Sequence, residues 1–363
     1  MQNALFEQRL ENLKTVIDSN NQALLITNEK NIGYFCGFFH SEGYLLVTEN
    51  ETVLFVDFRY YEAALKKSSC CKVVCFTKLF KDLISELKNN SVVNVFFEAS
   101  DITVEKYSRF KKAFSENCID CICNSILDDK IDNIRCIKDE SEIDKIAKAQ
   151  EITEKSYLEV LNYLKPGVSE RRVALELEHL IKLNGGEGVS FDLITITGKK
   201  TSLPHGVPSD DIVSEGDFFT FDIGSIFEGY HSDTTRTVAV KSASEEMRKV
   251  YDTVLKAQLA VLDGVKSGAK CSDVDKIARD IISENGYGKY FGHATGHGVR
   301  LDIHESPVVS PRSETTLKKD MIITDEPGIY LPGKFGVRIE DMLCVTDTGY
   351  KNFVSLPKEL IIV

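Results

Sequence analysis

Long apolar runs and blocks of basic residues are both missing from this sequence. Its apolar stretches fall far short of the roughly 20 residues that a membrane-spanning helix needs, so no such helix is expected. An export signal is not expected either, because Glu7, Arg9 and Glu11 lie where its continuous apolar core would be. The formal charge of −12, with no Lys/Arg-rich block, argues against nucleic acid or a membrane as the partner. We expect a cytoplasmic protein that binds small molecules or peptides.

The spacing of a zinc finger is also missing. The chain has ten cysteines, most of them at or before Cys136, and Cys118-x-x-Cys121 is the one suggestive pair. No second such pair, and no closely spaced histidine pair, follows at the distance that a zinc finger requires. In a reducing compartment, free and mostly buried thiols are therefore predicted.

The length of 363 residues and the apolar share of 42% predict roughly two domains. In the first third, short β-rich runs alternate with helical patterns. The runs are residues 23–27, 44–48, 52–56, 73–76 and 92–97, and the helical patterns include 80–87 and 104–114. A charged stretch from Leu127, followed by the capping-box pattern Asp139-x-x-Glu142, marks the end of this part. We predict a small α/β domain at 1–127 and a second domain at 128–363.

The second domain contains a weak internal repeat. Each copy has two helices joined through a glycine, then a segment containing His-Gly, then two strands that carry acidic residues. Ser242-x-x-Glu245 predicts the N-cap of the third helix. The first helix is predicted at about 140–164, and the second, after Gly167, ends at about 184. The third begins at about 244, and the fourth, after Gly268, ends at about 284. Two related α/β halves are therefore predicted, with a site at their pseudo-twofold axis that collects residues from both.

Acidic residues interrupt or end apolar strands in both halves. Asp222 lies inside the apolar run that starts at Phe218, and Asp233 follows across a hairpin-like connection. In the second half, Glu326 ends an apolar strand and Glu340 follows in the run that starts at Gly336. Buried carboxylates are costly to desolvate and repel each other unless a cation or a donor neutralises them. The pattern predicts metal or arginine where these strands meet.

Three of the seven histidines, His293, His297 and His304, lie close together in a glycine-rich segment. One of them, together with the two Asp and two Glu, makes an oxygen-rich ligand set. Such a set is suited to Mn²⁺, Co²⁺ or similar ions and is unlike the thiolate ligand set of a zinc site. Four carboxylates offset the charge of two divalent ions. Two ions about 3.5–4 Å apart, bridged by hydroxide, would supply a nucleophile at neutral pH and polarise a carbonyl. Hydrolysis of an amide is the predicted chemistry.

These acids and one histidine resemble the metal ligands of the creatinase/prolidase/methionine aminopeptidase superfamily, the pita-bread metallopeptidases. The five positions, matched by residue type and spacing, are Asp222, Asp233, His297, Glu326 and Glu340. Asn31-Ile-Gly-Tyr-Phe-Cys and Asp57-Phe-Arg-Tyr resemble the N-terminal domain of the Xaa-Pro aminopeptidase and prolidase branch. The resemblance implies an α/β chain with a creatinase/prolidase-type N-terminal domain and a pita-bread catalytic domain with internal pseudo-twofold symmetry.

The resemblance also implies how two divalent ions would be held. Asp233 and Glu340 would bridge them, and Asp222 would chelate one. His297 and Glu326 would complete the other, and Glu326 would also take the proton of the attacking hydroxide. Manganese is the expected metal, with cobalt, zinc and iron as alternatives.

Further residues match the substrate side of that family. His205, His293 and His304 would hold the scissile carbonyl, stabilise the oxyanion or move a proton to the proline nitrogen. Arg338 would support the site by pairing with a carboxylate, its alternative being an arginine on a strand surface. Arg312 lies where some prolidases bind the terminal carboxylate of the substrate, or it is a solvated loop residue.

The implied activity is that of an Xaa-Pro aminopeptidase, acting as a homodimer on short peptides with proline at the second position. The Xaa-Pro amide lacks an N–H, so the site must accept the ring and protonate that nitrogen. The alternative is an Xaa-Pro dipeptidase restricted to dipeptides. A pita-bread binding module without activity is the rival from another class. Arg300 and Asp325 depart from the family pattern, and the sequence leaves their effects open, as it does the roles of the ten cysteines.

Overall fold

The computed structural model describes residues 2–39 and 42–363, which form two compact units that divide between Arg135 and Cys136. The boundary expected near residue 127 falls inside a helix, Ser125–Cys136, that ends the first unit. This charged stretch is helical because Leu127 and Ile131, one helical turn apart, are both buried on its inner side. Among the described residues, no helix combines the length and the apolar character needed to cross a bilayer.

The first unit is built on a six-stranded mixed sheet. Its strands are β1 (Gln22–Ile26), β2 (Tyr44–Thr48), β3 (Thr52–Val56), β4 (Lys72–Cys75), β5 (Asn94–Glu98) and β6 (Asp120–Asn124). Their order is β4-β3-β2-β1-β5-β6; β1, β2 and β3 are antiparallel neighbours, and the other pairs are parallel. All five predicted strands are present, each close to its expected bounds.

In the described part of the chain, six helices pack with this sheet in the sequence up to Cys136. They are α1 (Gln2–Lys14), α2 (Glu29–Cys36), α3 (Phe58–Lys67), α4 (Leu79–Asn89), α5 (Val104–Ser115) and α6 (Ser125–Cys136). The predicted helical patterns at 80–87 and 104–114 correspond to α4 and α5. Phe97 of β5 packs on Phe110 and Phe114 of α5, with ring centroids 5.4 and 6.2 Å away. This aromatic cluster forms part of the core of the first unit.

The first half of the second unit begins with two packed helices and continues as strands. The elements are α7 (Glu140–Leu161), α8 (Glu170–Leu183), β7 (Gly188–Val189), β8 (Ile194–Thr197), β9 (Phe218–Ile223), β10 (Ser225–Phe227), β11 (Tyr230–His231) and β12 (Thr234–Ala239). The predicted capping box is present at the start of α7, where Asp139 and Glu142 bond each other's backbone N–H groups. Strands β8, β9 and β12 form an antiparallel sheet, and β7, β10 and β11 form a second one.

The second half repeats this order. The elements are α9 (Glu245–Gly264), α10 (Cys271–Glu284), β13 (Gly296–Gly298), β14 (Glu305–Val309), β15 (Ile322–Asp325), β16 (Gly328–Leu331), β17 (Phe335–Arg338), β18 (Asp341–Val345) and β19 (Tyr350–Asn352). Five strands form a sheet in the order β14-β13-β15-β18-β19, and β16 pairs with β17 as a hairpin. The predicted repeat of a helix pair followed by acid-bearing strands is confirmed.

The cap predicted for α9 was wrong by two positions. Ser244, and not Ser242, accepts the Met247 N–H at 3.2 Å. Ser242 instead donates its own backbone N–H to Val240 in a turn where Lys241 has φ +63°. This turn ends the strand before the helix can begin, which moves the cap along the chain.

Candidate metal centre

The acidic residues of the first half lie on neighbouring strands. Asp222 in β9 is opposite Thr235 in β12, and Asp233 comes directly before β12. Gly224 allows this close return of the chain, because a Cβ there would lie 2.0 Å from the Ser232 carbonyl oxygen. Asp233 is therefore fixed in a tight backbone approach, and the residue is 4% exposed.

The histidine of the second half lies on the short strand β13, between two glycines. A Cβ on Gly296 would lie 2.0 Å from the Thr324 carbonyl oxygen, and one on Gly298 would lie 2.3 Å from that of Ser306. No side chain fits at either position without moving backbone. The Gly-His-Gly pattern thus sets His297 into the sheet beside β15, which Glu326 directly follows.

Four of the five predicted ligand residues lie together. His297 Nε2 lies 3.5 Å from Asp233 Oδ2 and 3.4 Å from Glu326 Oε1. Asp233, His297 and Glu340 each offer one ligand atom, and these atoms lie within 4.8 Å of one another. The Gly298 carbonyl oxygen, which can only accept, lies 3.1 Å from His297 Nδ1, so Nδ1 carries the hydrogen and donates it to that oxygen. This tautomer directs the Nε2 lone pair toward the carboxylates, as metal ligation requires.

The electrostatics of this cluster favour a bound cation. Burial, followed by the charges of neighbouring acids, raises the pKa of Asp233 and of Glu340 well above the ordinary range. Burial also raises the pKa of Glu326 to about 8, against the opposing effect of Arg338. Burial lowers the pKa of His297 to about 4, so its imidazole is neutral near pH 7. Crowded carboxylates beside a neutral imidazole are a donor set that fits divalent ions.

Arg338 links three parts of the site. It is 4% exposed, so it is not an arginine on a strand surface, and its Nη2 donates to the carboxylate of Asp222. Its Nε donates to Thr235 Oγ1 at 3.0 Å, and its Nη1 donates to the Tyr330 hydroxyl at 2.8 Å. Thr235 in turn donates to Glu340 Oε2 at 2.7 Å. The guanidinium thereby fixes one carboxylate directly and another through a threonine.

The three predicted substrate-side histidines differ in their surroundings. His293 has Nδ1 2.8 Å from the Ala294 carbonyl oxygen and Nε2 2.8 Å from the Tyr330 hydroxyl. The ring of His304 packs edge-on against that of His297, with centroids 4.4 Å apart. His205 is exposed on the loop after the 3₁₀ turn Gly198–Ser202. His293 and His304 thus lie at the cluster, whereas His205 lies on an exposed loop beside it.

Three polar residues of the site were not predicted from the sequence. They are Thr235, Thr324 and Tyr330. Thr324 accepts the backbone N–H of His297 at 3.1 Å and donates to Glu326 Oε1 at 3.3 Å. Strand alternation offers a signal for two of them, because Thr235 and Thr324 each lie two positions from a predicted ligand. No local signal exists for the hydroxyl of Tyr330, whose partners come from other segments.

The two residues that depart from the family pattern are buried away from water. Arg300 is 0% exposed and pairs with the carboxylate of Glu142 at the start of α7. Asp325 is also 0% exposed and lies opposite Asp341 in the β15–β18 pair. Arg312 is exposed in the turn after β14. All ten cysteines are free thiols, but the prediction that most are buried is wrong, since four are buried, four are half-buried and two are exposed.

Comparison with known proteins places this geometry in context. The profile of metallopeptidase family M24 matches residues 144–347, and that of the creatinase/prolidase N-terminal domain matches residues 9–137. The Xaa-Pro dipeptidase of Pyrococcus furiosus is 39% identical over 359 residues, which cover 98% of this chain and 100% of that protein.

Two solved structures resemble the whole chain. An Xaa-Pro dipeptidase from Bacillus anthracis superimposes with a TM-score of 0.95 at 37% identity, covering 99% of this chain and 100% of the other. An X-Pro aminopeptidase from Thermotoga maritima gives a TM-score of 0.90 at 34% identity, covering 98% and 100%.

Proposed function

The chain is a member of metallopeptidase family M24 with a creatinase/prolidase-type first unit and a pita-bread second unit, and from this membership we propose that it is an Xaa-Pro dipeptidase. The observation that carries the proposal is the buried cluster in which His297 Nε2 faces the carboxylates of Asp233 and Glu326 at 3.5 and 3.4 Å. The preference for dipeptides rests on the names of the relatives.

We propose that the cluster holds two divalent ions and that manganese is the preferred metal. The residues that would hold them are Asp222, Asp233, His297, Glu326 and Glu340. When bound, such ions supply a water nucleophile at neutral pH and polarise the scissile carbonyl. The remaining chemistry belongs to the side chains of this protein.

Glu326 is the proton acceptor of the proposed reaction. Its Oε1 lies beside His297 and is held by the Thr324 hydroxyl at 3.3 Å, so one carboxylate oxygen has a fixed direction. Arg338 pairs with Asp222 and holds the Asp222 carboxylate in place. A carboxylate at the position of Glu326 can take a proton from the attacking water and return it to the leaving nitrogen.

His293 and His304 are proposed to contact the substrate. Burial and the charge of Arg338 lower the pKa of His293 to about 4, so the ring is neutral and can donate or accept one hydrogen bond per nitrogen. His304 lies against the ring of His297, which brings it next to the cluster. His205 would approach from its exposed loop, whose Pro204 carbonyl oxygen accepts from Arg338 at 3.3 Å.

The aminopeptidase favoured by the sequence analysis becomes the second candidate. Relatives named Xaa-Pro dipeptidase include both the Pyrococcus furiosus protein and the Bacillus anthracis structure, whereas the Thermotoga maritima structure is named an X-Pro aminopeptidase. The homodimer stays a prediction of the resemblance. Binding of the terminal carboxylate by Arg312 would separate the two activities.

The test is hydrolysis of Ala-Pro, Ala-Pro-Ala and Met-Ala-Ala by chelator-stripped protein with and without Mn²⁺ or Co²⁺. We expect metal-restored cleavage of Ala-Pro and little cleavage of the other two, with a higher KM for Ala-Pro in Arg312→Ala. Faster cleavage of Ala-Pro-Ala would replace the dipeptidase by the aminopeptidase. Absence of metal-dependent turnover of all three would instead favour a binding module.

A further inference from the structure

Helix α10 carries an ion pair on the side that faces the site. Asp275 and Arg279, one helical turn apart, pair through both carboxylate oxygens, with Arg279 Nε 2.6 Å from Oδ2 and Nη2 3.0 Å from Oδ1. The side chain of Asp275 is 1% exposed and that of Arg279 is 26% exposed. A two-point contact of this kind holds the guanidinium plane in one orientation.

The pair uses its remaining hydrogen-bonding groups on the segment 291–295. Arg279 Nη1 donates to the Phe291 carbonyl oxygen at 3.1 Å, and Nη2 donates to that of His293. The guanidinium carbon also lies 4.4 Å from the centre of the Phe291 ring. Asp275 Oδ1 accepts the backbone N–H of Thr295 at 3.1 Å and its hydroxyl at 2.8 Å. Two side chains of one helix therefore hold three residues of this segment.

Segment 291–295 has no regular secondary structure of its own. It nevertheless carries His293 and leads directly into β13 with His297, and the Thr295 carbonyl oxygen accepts the N–H of Glu326 at 2.8 Å. The Thr295 N–H also donates to the Val309 carbonyl oxygen at 2.9 Å, so backbone bonds hold the segment at residue 295, while Arg279 holds the carbonyl oxygens of Phe291 and His293. A displacement here of about 1 Å would move the His293 ring relative to the cluster, a misplacement large enough to affect catalysis.

We propose that Asp275 and Arg279 are a positioning pair that places the His293 imidazole at the substrate side of the site. Neither residue belongs to the ligand cluster; both act through the backbone of segment 291–295. The expected loss of kcat/KM rests on the proposed function, whereas the expected displacement of the His293 ring does not.

The helix offers a matched control. Lys276 and Asp280 form the same i,i+4 pair on α10, with Nζ 2.5 Å from Oδ2, but their side chains are 67% and 54% exposed. Lys276→Met removes a cation from the same helix without touching segment 291–295. Arg279→Met removes the cation that holds it.

The first experiment records the ring Cε1–Hε1 NMR signals of the seven histidines at one pH near neutrality. His293→Gln identifies the His293 signal by its loss. We expect Arg279→Met to move that signal and Lys276→Met to leave it in place. An unmoved His293 signal in a folded Arg279→Met protein would overturn the proposal, whether or not the protein hydrolyses Ala-Pro. Absence of Ala-Pro hydrolysis by the wild type would count against the proposed function alone.

The second experiment is a double-mutant cycle on kcat/KM. Arg279→Met is expected to lower kcat/KM by about 10- to 100-fold, since small misplacements of a site residue cost about that much. In the His293→Gln background the same change should cost little, because the residue through which it acts is gone. An equal loss in both backgrounds would show a general structural effect and overturn the proposal. Should Arg279→Met not fold, Asp275→Asn takes its place with the same expected outcomes.

Discussion

Tyr330 donates its hydroxyl hydrogen to His293 Nε2 across 2.8 Å. The direction follows from His293, whose Nδ1 can only donate to the Ala294 carbonyl oxygen, so that Nε2 of the neutral ring accepts, while Arg338 donates to the same hydroxyl oxygen across 2.8 Å. His293 completes the chain by donating from Nδ1 to the Ala294 carbonyl oxygen. Both ring nitrogens are thus used within the protein, and a substrate that contacts Nε2 must exchange with Tyr330.

Tyr330→Phe is expected to lower kcat/KM for Ala-Pro by about 10- to 100-fold, because the chain from Arg338 to His293 is broken. The free energy of unfolding should fall by about 1–3 kcal/mol, the usual cost of leaving buried polar groups without a partner. Steady-state kinetics and urea unfolding measure the two effects. Tyr350→Phe, at a residue 36% exposed on β19, is the control and should change neither. Wild-type kinetics in Tyr330→Phe would contradict the assigned chain.

The chelator-stripped protein is expected to lose stability as pH rises from 6.5 to 8. Burial raises the pKa of Glu326 to about 8, far above its unfolded value of about 4.3, so the folded state binds this proton more tightly. Stability from such a group is complete below the unfolded pKa and is lost as pH rises through the folded pKa. His293 and His297, with pKa lowered to about 4, act in the opposite sense, but their contribution is already complete above about pH 6.5.

Urea unfolding at pH 6.5 and pH 8 measures this loss. Glu326→Gln removes the titrating group, so the wild type should lose up to about 2 kcal/mol more than the variant over this interval. Identical losses in the two stripped proteins would mean that Glu326 is already ionised at pH 6.5. Saturating Mn²⁺ should reduce the loss in the wild type, because ions bind the ionised carboxylate.

Arg300→Met is expected to destabilise the protein by about 3–5 kcal/mol, the usual cost of breaking a buried ion pair. Arg300 Nε lies 2.6 Å from Glu142 Oε1, and neither side chain is more than 1% exposed. The double variant Arg300→Met with Glu142→Gln should recover part of the loss, since no buried charge is then left. Arg171→Met, in an exposed pair with Asp210, should cost no more than about 1 kcal/mol. Equal costs at the two sites in urea unfolding would disprove a structural role for the buried pair.

Local patterns allowed much of this fold to be predicted. Apolar runs interrupted by Asp222 or ended by Glu326 are visible in the sequence because burial and strand alternation leave a signature within a few residues. Contacts between distant segments leave no such signature. Thr235 and Glu340 are far apart in the chain, and their 2.7 Å hydrogen bond depends on how two sheets meet.

Ion pairs on helices illustrate the same limit. Asp275–Arg279 and Lys276–Asp280 overlap in sequence and have the same spacing, yet one is buried against segment 291–295 and the other faces water. Nothing within α10 distinguishes them except position relative to the apolar face. The boundary expected near residue 127 lies inside α6 for a related reason, because the charged residues of this helix give no sign that Leu127 and Ile131 are buried.

Removal of one carboxylate should separate the stability of the stripped protein from its affinity for ions. Asp233 lies among other acids and beside His297, so Asp233→Asn relieves repulsion and should leave the stripped protein at least as stable as the wild type. The same change removes a predicted ligand. Mn²⁺ should therefore raise the melting temperature of the wild type, by an amount equivalent to about 2.7 kcal/mol at 100 times Kd, and leave that of the variant unchanged. Differential scanning calorimetry with and without Mn²⁺ measures both effects, and Glu215→Gln, at an exposed acid, serves as the control. An ion-induced shift of wild-type size in Asp233→Asn would exclude this carboxylate from the metal centre, because a ligand cannot be lost without a loss of binding free energy.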